Sequence, residues 1–166
     1  MTLQFRVLMV CTGNICRSPT AEAVLRRMVV DAGLDRHVEV ASAGIVEYHA
    51  GSPPDHRAQQ HARRRGYDLS RQRARQIRAR DFERFDLVLV MEEDQRDLLV
   101  EQCPQQFQER VRLLMDFAPA QTPGTGIPDP YYGAPAGFER VLDMVEEACA
   151  GLRDDLRRRL LDPARP

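Results

Sequence analysis

The chain has no lysine and no tryptophan among its 166 residues, so all 24 basic side chains are arginine. Because 25 acidic residues offset them, the net charge is −1, and the chain lacks the strong positive charge that favours binding to nucleic acid. We therefore predict no nucleic-acid partner. With 43% hydrophobic residues at this length, we expect one domain over residues 1–166, with a core of its own.

Long apolar runs are also missing from the chain. No segment reaches the roughly 18 apolar residues that a membrane-spanning helix needs, so we predict no membrane span. The stretch from Leu3 to Val10 is too short for a signal peptide, and cleavage there would remove the loop that follows. We expect a cytoplasmic location, where the 4 cysteines would be thiols. Since no cysteine–histidine spacing resembles a zinc site, we expect neither a metal nor another cofactor.

The most informative segment is a loop bracketed by a cysteine and an arginine, Cys11 and Arg17, between a predicted strand and a predicted helix. Amide groups in such a turn lack partners, and with the positive end of the helix they bind an anion such as phosphate. The same surroundings favour the thiolate form of Cys11, which makes it a candidate nucleophile. Arg17 can bind two phosphoryl oxygens through its planar guanidinium group. The alternative is a buried structural cysteine at a strand end.

The other residues of the loop suit a phosphate site. Gly13 lets the backbone approach a ligand, and Asn14 tolerates the left-handed conformation that tight anion loops need. Ser18 is predicted to cap the helix and can donate a hydrogen bond to the thiolate. The loop is not a nucleotide P-loop, because it has no Gly-Lys-Ser/Thr. The candidate phosphate-binding residues beside Arg17 are Thr12, Gly13, Asn14, Ile15, Cys16 and Ser18.

A second candidate element, Asp129-Pro130-Tyr131-Tyr132-Gly133, follows a segment rich in proline and glycine from Pro119 to Pro128. Cleavage of an aryl phosphate ester needs a proton donor for the leaving oxygen, and a carboxylic acid beside aromatic walls can supply it. Asp129 is therefore a candidate general acid. The plain alternative is an Asp-Pro turn whose tyrosines cover the surface.

Together, these two elements resemble the low-molecular-weight protein tyrosine phosphatases of bacterial type. The resemblance implies that Cys11 is the nucleophile, Arg17 the phosphate clamp and Asp129 the general acid. It also implies that the substrate is a phosphotyrosine-containing protein, that the reaction passes through a cysteinyl phosphate, and that inorganic phosphate is a product. The similarity extends along almost the whole chain and includes Ser42-Ala43-Gly44, residues 51–58, residues 74–77 and residues 85–91.

The resemblance also assigns supporting residues and exposes departures from the family pattern. The walls of the substrate cleft are Tyr48, Tyr131 and Tyr132, and the supports of the phosphate loop are Ser42 and Gln72. The departures are Gln72, where histidine is common, Glu92, where aspartate is usual, and Gln95, where asparagine is frequent. Because glutamine donates the same kind of hydrogen bond as histidine, we expect Gln72 to tune the loop without loss of activity.

Cys16 is a redox candidate on the same resemblance. A cysteine at this position can pair reversibly with the oxidised nucleophile, which would protect Cys11 from over-oxidation. The alternative is a small side chain that fills space below the loop. Cys149, at helical spacing from Val145 and Leu152, is expected to pack in the core.

The order of elements predicts an α/β fold. Strands are expected near 4–10, 38–42, 86–91 and 111–115, and helices near 18–32, 54–65, 92–101 and 137–160. This alternation predicts a single-domain, Rossmann-like three-layer sandwich, in which a four-stranded parallel sheet has helices on both faces. Cys11 would lie at the carboxyl end of the first strand, where such sheets bind ligands.

Three other functions are alternatives to a tyrosine phosphatase. An arsenate reductase of this fold needs two further cysteines in the middle of the chain, and residues 17–102 contain none. A catalytically silent phosphoprotein-binding module would need only the anion loop and Arg17, so the presence of Cys11 and Asp129 argues against it. A protein arginine phosphatase shares Thr12 with the tyrosine phosphatases, whereas Tyr131 and Tyr132 favour the tyrosine branch.

Overall fold

The centre of the fold is a parallel sheet of four strands, seen in a computed structural model that describes residues 4–119 and 125–161. The strands are β1 (Phe5–Cys11), β2 (Val38–Gly44), β3 (Leu87–Val90) and β4 (Val111–Leu113), arranged in the order β2-β1-β3-β4. In the register of the sheet, Val7 of β1 lies opposite Val40 of β2 and Leu87 of β3. The carboxyl end of β1, which is Cys11, therefore lies at the edge where the neighbouring parallel strands also end.

Five α-helices connect and cover the strands in the described residues. They are α1 (Arg17–Asp31), α2 (His56–Arg64), α3 (Asp81–Arg84), α4 (Glu93–Gln102) and α5 (Ala136–Leu161). Two 3-10 segments, Gln105–Arg110 and Leu114–Phe117, precede and follow β4. Because residues 114–117 take this 3-10 form, β4 is shorter than the sequence predicts.

The core lies on both faces of the sheet, as the alternation of side chains along β1 requires. Val7 and Met9 pack into a cluster that includes buried residues of α1, α2 and α5. Leu8 and Val10 pack into a second cluster, with residues of α3 and α4. The predicted three-layer α/β fold with a parallel sheet is confirmed. Cys149 is fully buried on α5, as expected.

The start of α1 differs from the sequence prediction. The residue before the helix is Cys16, and Ser18 does not cap it, since no side chain accepts a hydrogen bond there. The Ser18 hydroxyl lies inside the first turn and contacts Cys11 and Asn14 instead. The helix predicted near 18–32 ends as expected: α1 stops at Asp31, and Gly33 has the left-handed φ of 72° that commonly follows the end of a helix.

The predicted proline- and glycine-rich loop is only partly visible, because residues 120–124 lie outside the described residues. In the part of the chain that is described, no helix combines the length and the apolar character that crossing a membrane would require.

Candidate active site

The loop after β1 is held from outside through its carbonyl groups. The amides of Ile45 and Val46 donate to the carbonyl oxygens of Cys11 and Thr12, each at 3.0 Å, and the Asp55 amide donates to that of Ile15 at 2.7 Å. Within the described residues, the amides of 12–16 have no hydrogen-bond partner of their own. Free amides in a loop that leads into a helix form a binding site for an anion.

Asn14 supports this loop from below. It has a φ of 58°, the left-handed conformation that the sequence predicts. Its Oδ1 accepts a hydrogen bond from the Arg75 amide at 3.0 Å, and its Nδ2 donates to the hydroxyls of Ser18 at 2.8 Å and Ser42 at 3.0 Å. Asn14 is buried, and both its side-chain oxygen and its side-chain nitrogen have hydrogen-bond partners. These contacts hold the loop in one conformation.

The thiol of Cys11 lies at the floor of a cleft and is only 3% exposed. Its Sγ is 3.0 Å from the Ser18 hydroxyl. Ser18 Oγ accepts from Asn14 and has two acceptors for its own proton, the sulfur and the Ala43 carbonyl oxygen at 3.5 Å; donation to the sulfur would stabilise a thiolate. Ser18 thus contacts the Cys11 sulfur, as the sequence predicts.

Ser42 and Gln72 extend the support of the loop. The Ser42 hydroxyl donates to Gln72 Oε1 at 3.4 Å, and Gln72 Nε2 donates to the Pro19 carbonyl in the first turn of α1 at 2.9 Å. Gln72 therefore accepts a hydrogen bond from Ser42 through its side-chain oxygen and donates one to α1 through its side-chain nitrogen. It lies in the supporting position that the resemblance implies.

Arg17 points into the same cleft and is 3% exposed. Its Nη1 donates to the Ile127 carbonyl at 2.9 Å and forms an ion pair with Glu92. Its Nη2 is 3.9 Å from Asp129 Oδ2. Sequence reasoning noted Glu92 only as a departure and missed this contact, because Glu92 is far from Arg17 in the chain.

Gln95 is a second residue whose role the sequence did not reveal. Its Oε1 accepts from the amides of Met91 and Glu92, both at 3.0 Å, at the turn between β3 and α4. Its Nε2 donates to Thr12 Oγ1 at 3.0 Å. Gln95 therefore fixes both the segment that carries Glu92 and the side chain of Thr12, the first loop residue after Cys11.

The cleft above Cys11 has a volume of about 420 Å³ and aromatic walls. Tyr48 and Tyr132 are 86% and 92% exposed, and Tyr131 is half-buried with its ring edge-on to Tyr132 at 4.7 Å. All three tyrosines that the resemblance assigns to the walls line this cleft.

His49 also lines the cleft, although the sequence gave no sign of it. Its ring packs on Gly13, where an added Cβ would come within 2.9 Å of the imidazole Cδ2. A side chain at position 13 would therefore force the His49 ring to move aside.

Asp129 lies on the rim of the cleft, and its side chain is about half exposed. Its Oδ1 accepts from the Tyr131 amide at 3.0 Å, which leaves Oδ2 facing Arg17. The candidate acid and the candidate nucleophile thus line the same cleft.

Asp55 and Arg57 tie the phosphate loop to the tyrosine wall. The Asp55 carboxylate accepts from the Arg57 amide at 2.8 Å, which caps α2, and also binds the Arg57 guanidinium. That guanidinium lies 5.3 Å from the centre of the Tyr131 ring. Burial by itself would raise the pKa of Asp55, but the contacts with Arg57 hold this pKa below its usual range.

Cys16 is the last residue of the loop before α1 and lines the cleft as a buried free thiol, like Cys11. Burial raises its pKa well above the usual range, and the negative charges of Asp55, Cys11 and Asp129 add to this effect. Cys16 is therefore protonated at neutral pH. Both roles predicted for it, space filling and reaction with an oxidised Cys11, fit a thiol at this position.

Metal ligands are not gathered in the described part of the chain: it contains no cluster of three or more histidine, cysteine, aspartate or glutamate side chains suited to an ion. The positive charge at the cleft comes from Arg17 and the loop amides.

A cysteine on an amide-lined loop, an arginine beside it and an acid on the rim define the phosphatase class that works from a strand–loop–helix site. The sequence model of the family "Low molecular weight phosphotyrosine protein phosphatase" matches residues 6–161. The chain belongs to this family.

Similar proteins are found among both characterised sequences and solved structures. The chain is 44% identical over 152 residues to the low molecular weight protein-tyrosine-phosphatase of Streptomyces coelicolor, an alignment that covers 90% of this chain and 92% of that protein. It is 40% identical to the human low molecular weight phosphotyrosine protein phosphatase, over 86% of this chain and 90% of that protein. A crystal structure of the Entamoeba histolytica protein tyrosine phosphatase with Hepes in the active site matches with a TM-score of 0.89 at 36% identity, covering 93% and 98% of the two chains.

Proposed function

We propose that this protein removes phosphate from phosphotyrosine in proteins through a cysteinyl-phosphate intermediate. The observation that carries the proposal is the convergence of Cys11, Arg17 and Asp129 on one cleft with tyrosine walls. The names of its relatives, which are protein-tyrosine-phosphatases, support the same conclusion.

In the proposed first step, the Cys11 thiolate attacks phosphorus in line with the leaving oxygen. The loop amides and Arg17 stabilise the charge that spreads over the equatorial oxygens. Asp129 gives its proton to the departing tyrosinate, so a cysteinyl phosphate and a neutral tyrosine result.

In the second step, the Asp129 carboxylate takes a proton from a water molecule that attacks the cysteinyl phosphate. The phosphorus–sulfur bond breaks, inorganic phosphate leaves, and Cys11 returns as the thiolate. The Ser18 hydroxyl, 3.0 Å from the sulfur, can stabilise this leaving thiolate. In this scheme Arg17 and the amides supply the positive field, so no metal ion takes part.

The tyrosine walls favour a planar aryl phosphate as the substrate, because a phenyl ring can pack between Tyr48 and Tyr131. The alternative activity, removal of phosphate from arginine, uses the same loop and is distinguished only by substrate. A cytoplasmic location stays a prediction from the sequence.

The test is hydrolysis of phosphotyrosine and phosphoarginine peptides of one sequence, with a chelator present. We expect phosphotyrosine to be the better substrate, full activity with the chelator, and loss of turnover in Cys11→Ser. Preference for phosphoarginine would replace the substrate assignment. Wild-type turnover by Cys11→Ser would overturn the covalent route, and binding without any turnover in the wild type would favour the silent module.

A further inference from the structure

A second cleft, separate from the one above Cys11, is lined mainly by arginine. It has a volume of about 360 Å³ and lies between the edge strand β2, the chain leading to α3, and α3 itself. Its lining shares no residue with the catalytic cleft. Four guanidinium groups and two carboxylates line it, so positive charge is in excess; these residues are Arg75, Arg78, Arg80, Arg84, Glu39 and Asp81.

Both carboxylates of this cleft are already engaged. Asp81 is buried, and its two oxygens bind the Arg75 guanidinium at 3.0 and 3.2 Å. Glu39 binds Arg84 at 3.0 Å through one oxygen and Arg6 at 2.9 Å through the other. Because each carboxylate is matched by at least one arginine, neither neutralises the remaining two guanidinium groups.

The remaining two are Arg78 and Arg80, whose side chains are exposed. Across residues 4–119 and 125–161, no carboxylate forms an ion pair with either of them. A guanidinium group presents a planar set of donors that fits two phosphoryl oxygens at once. Two such groups in one concave site favour a ligand with more than one phosphoryl unit.

The apolar part of the lining argues against a nucleotide. It consists of Ala41 and Phe85, and Phe85 is only 2% exposed. The Arg84 guanidinium also lies over the Phe85 ring, 5.6 Å from its centre. No aromatic face in this lining is therefore open for a base to stack on.

We propose that this cleft is a second anion site, which binds a short inorganic phosphate chain such as pyrophosphate. Arg78 and Arg80 supply the main contacts. The site does not depend on the catalytic reaction assigned above, so either assignment can fail without the other.

Arg75 is unsuitable for testing the site, because its guanidinium group binds the buried Asp81 carboxylate and its backbone lies against Asn14 of the catalytic loop. The side chains of Arg78 and Arg80 have no contact with that loop, so Arg78→Gln/Arg80→Gln should keep the basal turnover of an aryl phosphate. Arg36→Gln/Arg64→Gln is a matched control, since it makes the same change in charge at two exposed arginines elsewhere.

The experiment is calorimetric titration of pyrophosphate into protein whose catalytic cleft is filled by excess benzylphosphonate. We expect about one pyrophosphate per chain in the wild type and in the control variant. Loss of two charge-assisted contacts should weaken binding at least tenfold in Arg78→Gln/Arg80→Gln. Basal turnover measured beside it shows that the variant is folded.

Three results would overturn the proposal. One is the absence of pyrophosphate binding once benzylphosphonate is present. Another is equal weakening in both double variants, which would indicate general charge attraction. The third is a ligand of another class, shown by much tighter binding of adenosine diphosphate or by effective competition from a glutamate-rich peptide.

Discussion

Arg17 is held by Glu92, and this ion pair joins the phosphate loop to the start of α4. The same Nη1 atom also donates to the Ile127 carbonyl. Two acceptors thus occupy Nη1, and Nη2 lies 3.9 Å from Asp129 Oδ2, so the guanidinium group is held between Glu92 and the rim of the cleft. Glu92 thus orients the arginine that we assign to phosphate binding.

Replacement of Glu92 by alanine should lower kcat/KM for an aryl phosphate by about tenfold or more, because the buried arginine loses its orienting partner. Glu92→Asp keeps the carboxylate and should stay within about threefold of the wild type. Kinetics of both variants at saturating and limiting substrate give the measurement, with thermal unfolding as a check on folding. Wild-type constants in Glu92→Ala would mean that the ion pair does not position Arg17.

Asp129→Asn should lower kcat, and the loss should be larger for a substrate with a more basic leaving group. For phenyl phosphate, loss of a general acid should cost about a hundredfold or more in kcat, and for p-nitrophenyl phosphate much less, because that phenolate leaves without a proton. The pH profile of the variant should also lose the limb that the acid produces. Equal effects on both substrates would remove Asp129 from the proton-donor role.

Local patterns in the sequence predicted what depends on neighbours along the chain, the family resemblance supplied distant residues such as Asp129 and Gln72, and the contacts of Glu92 and Gln95 were missed. The strand–loop–helix order around Cys11 and the left-handed Asn14 follow from local preferences, and both are found. The contact of Glu92 with Arg17 joins residues 75 positions apart, so no local pattern could reveal it.

The wrong prediction for Ser18 has the same physical origin. A serine before a predicted helix is a good cap by local preference. Here the hydroxyl contacts Cys11 and Asn14 instead, and the helix begins one residue earlier, at Arg17. Tertiary contacts at the site outweigh the local preference.

Cys16→Ala should make oxidative inactivation harder to reverse. Hydrogen peroxide oxidises the Cys11 thiolate to a sulfenic acid with release of hydroxide, and the Cys16 thiol then forms a disulfide with it as water leaves. Dithiothreitol would restore activity in the wild type and in the control Cys103→Ala, but much less in Cys16→Ala, where sulfinic acid accumulates. Equal recovery in all three proteins would leave Cys16 with the space-filling role alone.

Glu22 should lower stability increasingly as pH rises. It is a buried residue of α1, and burial raises its pKa above the usual 4.5, although Arg26 and Ser42 act in the opposite direction. A raised pKa means that the folded state binds the proton more tightly than the unfolded chain, so stability is lost as pH increases through the folded value.

The Glu22→Gln variant removes this loss of stability at high pH. Its free energy of unfolding should match the wild type near pH 4 and exceed it at neutral pH. Urea unfolding at several pH values measures the difference, and Glu83→Gln, at an exposed position, should show no such trend. A constant difference between Glu22→Gln and the wild type across this range would contradict the titration of Glu22.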